Sequence, residues 1–349
     1  MALLVASAGA LLFAGCASMG PPTIARDRFD YVASISESVK RQTLHNLLKV
    51  RYADAPVFID VTSVINSYEL EGEVEVSSQV SPRSRSGDTF LGLQGGGRYA
   101  DRPTIAYTPL TGEKFARGLM SPFPIAAIAY LIQAGYPVDV VLRTCVNTIN
   151  GLDNEFGGFG NPRAGDAGFA QLLALLRDAQ SAGELAFRVR GTSQGDGVAL
   201  LVRAPRETSV AAIELLGLDR KAQEYRMVFG MIPTDGREIA IVTRSLLQVM
   251  IEYASYIDVP TADVAEQRVY LPQRSDEQLR LFPPPIRVRH GDAAPADAHV
   301  ALSYRGRWFW IDDRDFASKA SLNILLFLSA LTETGAPEGR APVVTIPAR

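Results

Sequence analysis

Cysteine is nearly absent from this chain. Cys16 and Cys145 are the only two in 349 residues, which excludes a small domain stapled by disulfides and leaves folding to a hydrophobic core. Histidine is almost as scarce, with His45, His290 and His299 alone. No two of them stand at the H-x-x-x-H spacing that puts a zinc pair on one helix face. Charge of one sign is also missing: 35 Lys and Arg against 38 Asp and Glu leave a net charge of −3, without a block of either sign. A phosphate backbone wants a basic face, so nucleic acid binding is not expected. Beyond residue 16 no uninterrupted apolar run nears the about 20 residues that span a bilayer. What remains, 47% hydrophobic and 21% charged, is the composition of a globular protein, and residues 17–349 suffice for two modest domains or one large one.

The first fifteen residues, MALLVASAGALLFAG, carry no charge and run into Cys16. The stretch is too short for a stable membrane span and has the length and small-residue end of a secretory signal. Phe13-Ala14-Gly15-Cys16 resembles the lipobox of bacterial lipoproteins. The resemblance implies that Cys16 carries a diacylglyceryl group, usually with a third acyl chain, and becomes the first residue of the mature protein. More than one chain is what stable anchoring needs. Ala17 is not the Asp that retains such proteins at the inner membrane, so the resemblance implies the outer membrane. Residues 16–27 read as the lipidated cysteine and a tether, since Ala17–Pro22 has no periodicity.

Further along, Asp27 is placed to cap a helix from Arg28 to about Val50, with Phe29, Val32, Ile35, Val39, Leu47 and Val50 near one stripe. Val57–Ile65, Tyr68–Val80, Phe90–Tyr99 and Thr104–Thr108 read as an antiparallel meander of four strands. In the second of these Leu70, Val74 and Val76 alternate with Glu69, Glu71, Glu73 and Glu75. A turn at Ser81–Asp88 would set Glu71 near Arg98, with Glu73 and Glu75 across from Gly95–Gly97. Gly112–Met120 and Pro124–Ala134 carry helical signals with proline at a first turn, and Val138–Ile149 reads as an apolar β-branched strand before the turn Asn150-Gly151. Residues 154–168 form the loosest stretch and divide an N-terminal α+β lobe (28–153) from a C-terminal one (166–349). In the second lobe a β-hairpin–helix unit recurs: Glu184–Arg203 with Glu207–Leu216, Tyr225–Val242 with Ser245–Tyr256, and His299–Ile311 with Asp315–Leu331. The second helix opens on a capping box, Ser245 with Gln248. Asp258–Ala298, rich in proline and charge, reads as a long surface excursion stiffened by Pro283-Pro284-Pro285, and Val343–Ile346 as a last strand. The expected class is therefore α+β, a meander lobe followed by repeated hairpin–helix units.

Few constellations carry chemistry. Gly191-Thr192-Ser193-Gln194-Gly195 matches the nucleophile elbow G-x-S-x-G, which needs a strand before it and a helix after. A strand follows here, so a glycine-rich hairpin loop outweighs a nucleophile, and Ser193 stays a weak catalytic candidate. Cys145 lies among apolar residues with no neighbouring base and reads as buried filling. The densest stretch is Trp308–Asp315, WFWIDDRD. Trp308 and Trp310 share one face of a strand and Phe309 and Ile311 the other; Asp312, Asp313 and Arg314 follow at a helix start. An aromatic platform beside acids would suit a glycan, but core filling by one face and capping of the helix by the acids outweigh it. No metal ligand set and no cofactor are expected.

Four stretches, Arg51–Phe58 (RYADAPVF), Arg102–Leu110 (RPTIAYTPL), Thr243-Arg244-Ser245 and Trp308–Asp315, resemble a set of uncharacterised lipoproteins of Gram-negative bacteria. That resemblance implies location and no mechanism. The expected protein is lipid-anchored and non-enzymatic, at the periplasmic face of the outer membrane, held there through Cys16 and binding or scaffolding an envelope protein. The alternatives are an anchored envelope hydrolase, using Ser193 or the Asp312–Asp315 cluster, and a peptidoglycan-binding module using Trp308 and Trp310.

Overall fold

The computed structural model describes residues 21–332, apart from 66–67, 81–88, 102–103, 160–161, 193–194 and 204. Cys16, Ser193, the 81–88 loop and Val343–Ile346 lie outside the described residues. Helices and strands segregate as an α+β fold. The chain divides into two compact units, residues 57–110 and the rest.

The smaller unit is made of two antiparallel ladders. Strand β1 (Phe58–Ile65) pairs with β4 (Thr104–Leu110), and β2 (Tyr68–Val80) with β3 (Thr89–Asp101). Ile65 stands opposite Thr104 and Tyr68 opposite Asp101, so the register of β2–β3 continues that of the end of β1–β4, which itself shifts by one between Val61 and Ser63. The expected meander is thus corrected: β1 and β2 do not pair with each other. Alternation specifies a face and not a neighbour, so the β2–β3 hairpin was legible from its short connection and the β1–β4 pairing was not. The expected register at Glu71, opposite Arg98, is found, as is Glu73 opposite Gly96. Glu75 falls one step further on, opposite Gln94.

The larger unit opens with α1 (Pro21–Arg51). Residues 21–27 are helical, so neither the tether as far as residue 27 nor Asp27 as the cap holds. The expected stripe divides: Leu47 is fully buried with Leu44 and Leu48, whereas Phe29 and Val32 are exposed. Three helices follow, α2 (Gly112–Met120), α3 (Ile125–Gln133) and α4 (Val138–Cys145). Only Val146–Ile149, β5, keeps the strand expected over 138–149. Pro137 caps α4 and Asp139 sits in its first turn, local signals that favour a helix over β-branched propensity. Asn150 and Gly151, both at positive φ, reverse the chain into β6 (Leu152–Asp153). Helix α5 (Ala167–Ser181), not among the expected elements, buries Phe169, Leu172, Leu173, Leu176 and Ala179 at helical spacing.

A six-stranded sheet, in the order β6-β5-β10-β9-β8-β7, joins these to β7 (Leu185–Thr192), β8 (Gly195–Val202), β9 (Glu224–Phe229) and β10 (Glu238–Thr243). Strands from both sides of 154–168 share this sheet, so that stretch does not separate two lobes. The first hairpin–helix unit is present, β7–β8 followed by α6 (Glu207–Leu215). The second is corrected: β9 and β10 pair parallel, with Glu238 beside Arg226. Glu238 to Ile241 are buried without alternation, the pattern of a strand covered on both faces, as parallel strands are. Helix α7 (Leu246–Ala254) opens on the expected capping box, Ser245 Oγ accepting from Gln248 N–H. Helix α7 packs against α1, against α2 and against α10 (Phe316–Thr332). The third unit holds as read, with β12 (Ala298–Tyr304) and β13 (Arg307–Asp312) antiparallel before α10, and β11 (Arg289–Gly291) on the other side of β13. The surface excursion does not hold: α8 (Thr261–Ala265) and α9 (Asp276–Leu281) interrupt it, and Phe282, Ile286 and Val288 are buried.

Candidate functional site

Small side chains on facing helices leave a cavity of about 880 Å³. Ala170 and Ala174 stand one turn apart on α5, and Ala317 and Ala320 three residues apart on α10. Both pairs line the space, with Val140 of α4 and Leu173 beside them. Pro283-Pro284-Pro285 form a further wall and can offer no backbone N–H to a ligand. Phe316, 80% exposed, stands at the lining's edge. Polar groups on the wall are few. Thr144 Oγ1 and Tyr253 Oη are 3.0 Å apart, and Ser321 Oγ donates to the Pro285 carbonyl at 2.6 Å.

Arg143 also lines the cavity, as does Asp139. Its guanidinium donates to Glu155 Oε1 at 2.6 Å and lies over the Phe282 ring. Behind it Arg274 joins Arg143 on two carboxylates, Glu155 and Glu252, and a third guanidinium, Arg244, lies beside them. Arg274 reaches Glu252 at 3.5 Å and Glu155 at 3.8 Å. Arg244 is 1% exposed and has no carboxylate within ion-pair distance among the described residues. It donates instead to Asn147 Oδ1, to the Arg143 carbonyl and to the Glu155 carbonyl. Burial of an unpaired charge is costly, and here three neutral acceptors share it. Burial pushes the Glu155 carboxyl above the ordinary carboxylate range, against the opposing pull of Arg143.

Glycine lets this cluster close. The Gly157 N–H donates to Glu252 Oε2 at 2.5 Å, and a Cβ there would meet the Arg274 guanidinium and Ser255 Oγ. Asn154, Glu155, Gly157 and Gly158 are buried, so the glycine-rich run wraps charged side chains where the sequence suggested a loose linker. A signal for the cluster existed: Arg244 follows Ile241-Val242-Thr243 and precedes Ser245-Leu246-Leu247, and Glu252 lies in Val249-Met250-Ile251-Glu252-Tyr253-Ala254. Charges inside apolar runs are seldom buried without a purpose-built partner set.

The residues singled out in the sequence lie elsewhere. Phe309 and Ile311 are buried at 1% and 0%, with Trp308 exposed and Trp310 half-buried on the opposite face. Trp308 stands across from Gly291, and Trp310 across from Arg289. The acids are paired: Asp312 with Arg289 at 3.3 Å, Asp313 with Lys319 at 2.9 Å, and Asp297 with Arg314 at 2.5 Å. Asp315 accepts from the Ser318 N–H and hydroxyl and so caps α10. The G-x-S-x-G match falls where β7 ends and β8 begins, Thr192 pairing with Gly195, and Ser193 lies outside the described residues. Cys145 sits at the end of α4, fully buried, with burial pushing its thiol up to about 12. His45, His290 and His299 are scattered: His290 faces Asp258 and His299 faces Asp313. Among the described residues no group of three His, Cys, Asp or Glu could hold a metal ion, and no helix is long and apolar enough to cross a membrane. No family model matches this chain, and neither a curated protein nor a solved structure matches it.

Proposed function

We propose that this chain is a lipid-anchored, non-enzymatic protein of the outer membrane's periplasmic face that binds an apolar small molecule in the cavity between α4, α5 and α10. The observation that carries the reading is the cavity itself. Its volume of about 880 Å³ falls in the roughly 300–1,000 Å³ range of ligand sites, and alanine, proline and aliphatic walls with a few polar groups are the usual lining of one. A ligand that buries about 300 Å² of apolar surface there gains on the order of 7 kcal/mol before the cost of association. Arg143 in the lining favours a ligand with an acceptor. The anchor rests on Met1–Cys16, whose apolar run and small residues before the cysteine support lipidation. Binding and anchoring together describe a carrier or sensor of envelope amphiphiles. Glycan binding on Trp308 and Trp310 has one observation in its favour, their shared outer face on β13.

A naphthalene-type fluorophore that brightens in apolar surroundings tests the cavity. Ala320→Trp and Ala174→Phe should fill it and abolish the fluorescence gain while the protein stays folded by circular dichroism. Undiminished binding in both variants would sink the reading. Metabolic labelling with a fatty acid tests the anchor: label should appear on the wild type and vanish in Cys16→Ser.

A further inference from the structure

A second pocket, of about 570 Å³, opens where α1 ends. Its apolar walls include Ile257, Val259, Val264 and Leu271, and two arginines, Arg51 and Arg274, line it with them. Arg51 is 7% exposed. Its Nη1 donates to the Tyr270 carbonyl at 2.5 Å, and its Nε is buried with no acceptor. No carboxylate lies within ion-pair distance of Arg51 among the described residues. A guanidinium stays charged at every physiological pH, so Arg51 is a buried cation with an unused donor. Arg274 lies flat on Tyr256, with its carbon centre 3.9 Å from the ring centroid, and donates to Ser255 Oγ at 2.8 Å. The two buried acids near it, Glu155 and Glu252, already face Arg143 and Arg274. Neither lines the pocket; among the described residues Asp258 is the one acid that does, and its carboxylate is largely exposed and faces His290 at 3.1 Å. Cation is therefore in excess at this pocket.

We infer that this pocket binds an organic anion, a carboxylate or phosphate seated on Arg51 and Arg274 with an apolar remainder against Val259, Val264 and Leu271. The planar guanidinium fork is the group that takes such oxyanions in pairs of parallel hydrogen bonds. The site is separate from the cavity between α4, α5 and α10. The occupant could reach it as a free metabolite or as the headgroup end of a lipid, and the chain length of the probe tells these apart.

Isothermal titration of the full chain with inorganic phosphate, decanoate and decyl phosphate tests this. Decanoate or decyl phosphate should bind, and Arg51→Gln should weaken binding by about tenfold or more, the scale of one charge-assisted pair. Arg51→Lys should keep part of it. Val264→Trp, which leaves both arginines in place and blocks the apolar wall, should weaken the ten-carbon probes and spare phosphate. Each titration is repeated in the Ala320→Trp background, which fills the other cavity and removes any probe seated beside Arg143; the loss on Arg51→Gln should persist there, so the two sites fail independently. Phosphate binding as tightly as decyl phosphate would identify a free anion as the source of the headgroup. Equal affinity in the wild type and Arg51→Gln, or no binding of any of the three anions at millimolar concentration, would overturn the proposal.

Discussion

Residues 57–110 and the body of the protein use the same strand chemistry to different ends. In the body β10 has a neighbour on each side and is buried on both faces. In the smaller unit each strand has one partner, and Ile59, Ile105 and Tyr107 are exposed. Two-stranded ribbons are marginal in water, whereas three or more strands with a buried face hold themselves. Burial also sets register: a one-residue slip of β13, which has one buried face, would turn Phe309 and Ile311 out of the core, while the Gly95-Gly96-Gly97 segment of β3 has no side chains to turn.

The widest expected contrast is in hydrogen exchange. Amides of Ile239–Ile241 should exchange only through global unfolding, and those of β2 and β3 at least about a thousandfold faster, a gap of ~4 kcal/mol. Comparable protection in the two units would mean that the ribbon is as stable as the sheet. Within the body, Phe309→Ala should cost ~3–5 kcal/mol by urea denaturation, as large-to-small core changes do. Trp310→Ala, on the opposite face, should cost under ~2 kcal/mol. If the order were reversed, the inner face of β13 would be the tryptophan face.

A smaller effect comes from Glu155. Its native carboxyl is held above the ordinary range by burial, so the folded state binds a proton more readily than the unfolded state. Stability attributable to this group is therefore greatest at low pH and falls as pH rises from the unfolded value, about 4.3, through the raised native one. Glu155→Gln cannot titrate, and its urea midpoint should lack that fall above about pH 4. Parallel curves for wild type and variant would show that Arg143 cancels the burial. The smallest change is expected in the ribbon. Glu71→Gln, Glu73→Gln and Glu75→Gln together should shift stability by under about 0.5 kcal/mol, the scale of surface substitutions. A triple variant that unfolds would show those carboxylates to be buried and paired.

Local physics made part of this legible in advance. Ser245 and Gln248 announce a helix start, Asn150-Gly151 and Arg305-Gly306 announce reversals, and the alternation of Phe309 and Ile311 with the tryptophans announces a strand with one buried face. Each depends on residues within a few positions of one another. The candidate sites had no such signature. Alanines at 170, 174, 317 and 320 become a cavity only when α5 and α10 face each other, and nothing near Ala170 in the chain says that they do.

The sequence by itself determined the mixed class, most helix and strand positions, the register of β2 on β3 and the resemblance of Phe13–Cys16 to a lipidation signal. Tertiary structure decided the rest: that β9 and β10 run parallel, that Gly157, Gly158 and Gly165 are buried, and that Arg51 and Arg244 leave water without a carboxylate. The reason is range. Capping and alternation are settled between neighbours, while the burial of a charge is settled by acceptors far along the chain. Arg244 depends on Arg143, Asn147 and Glu155, and Arg51 on Tyr270.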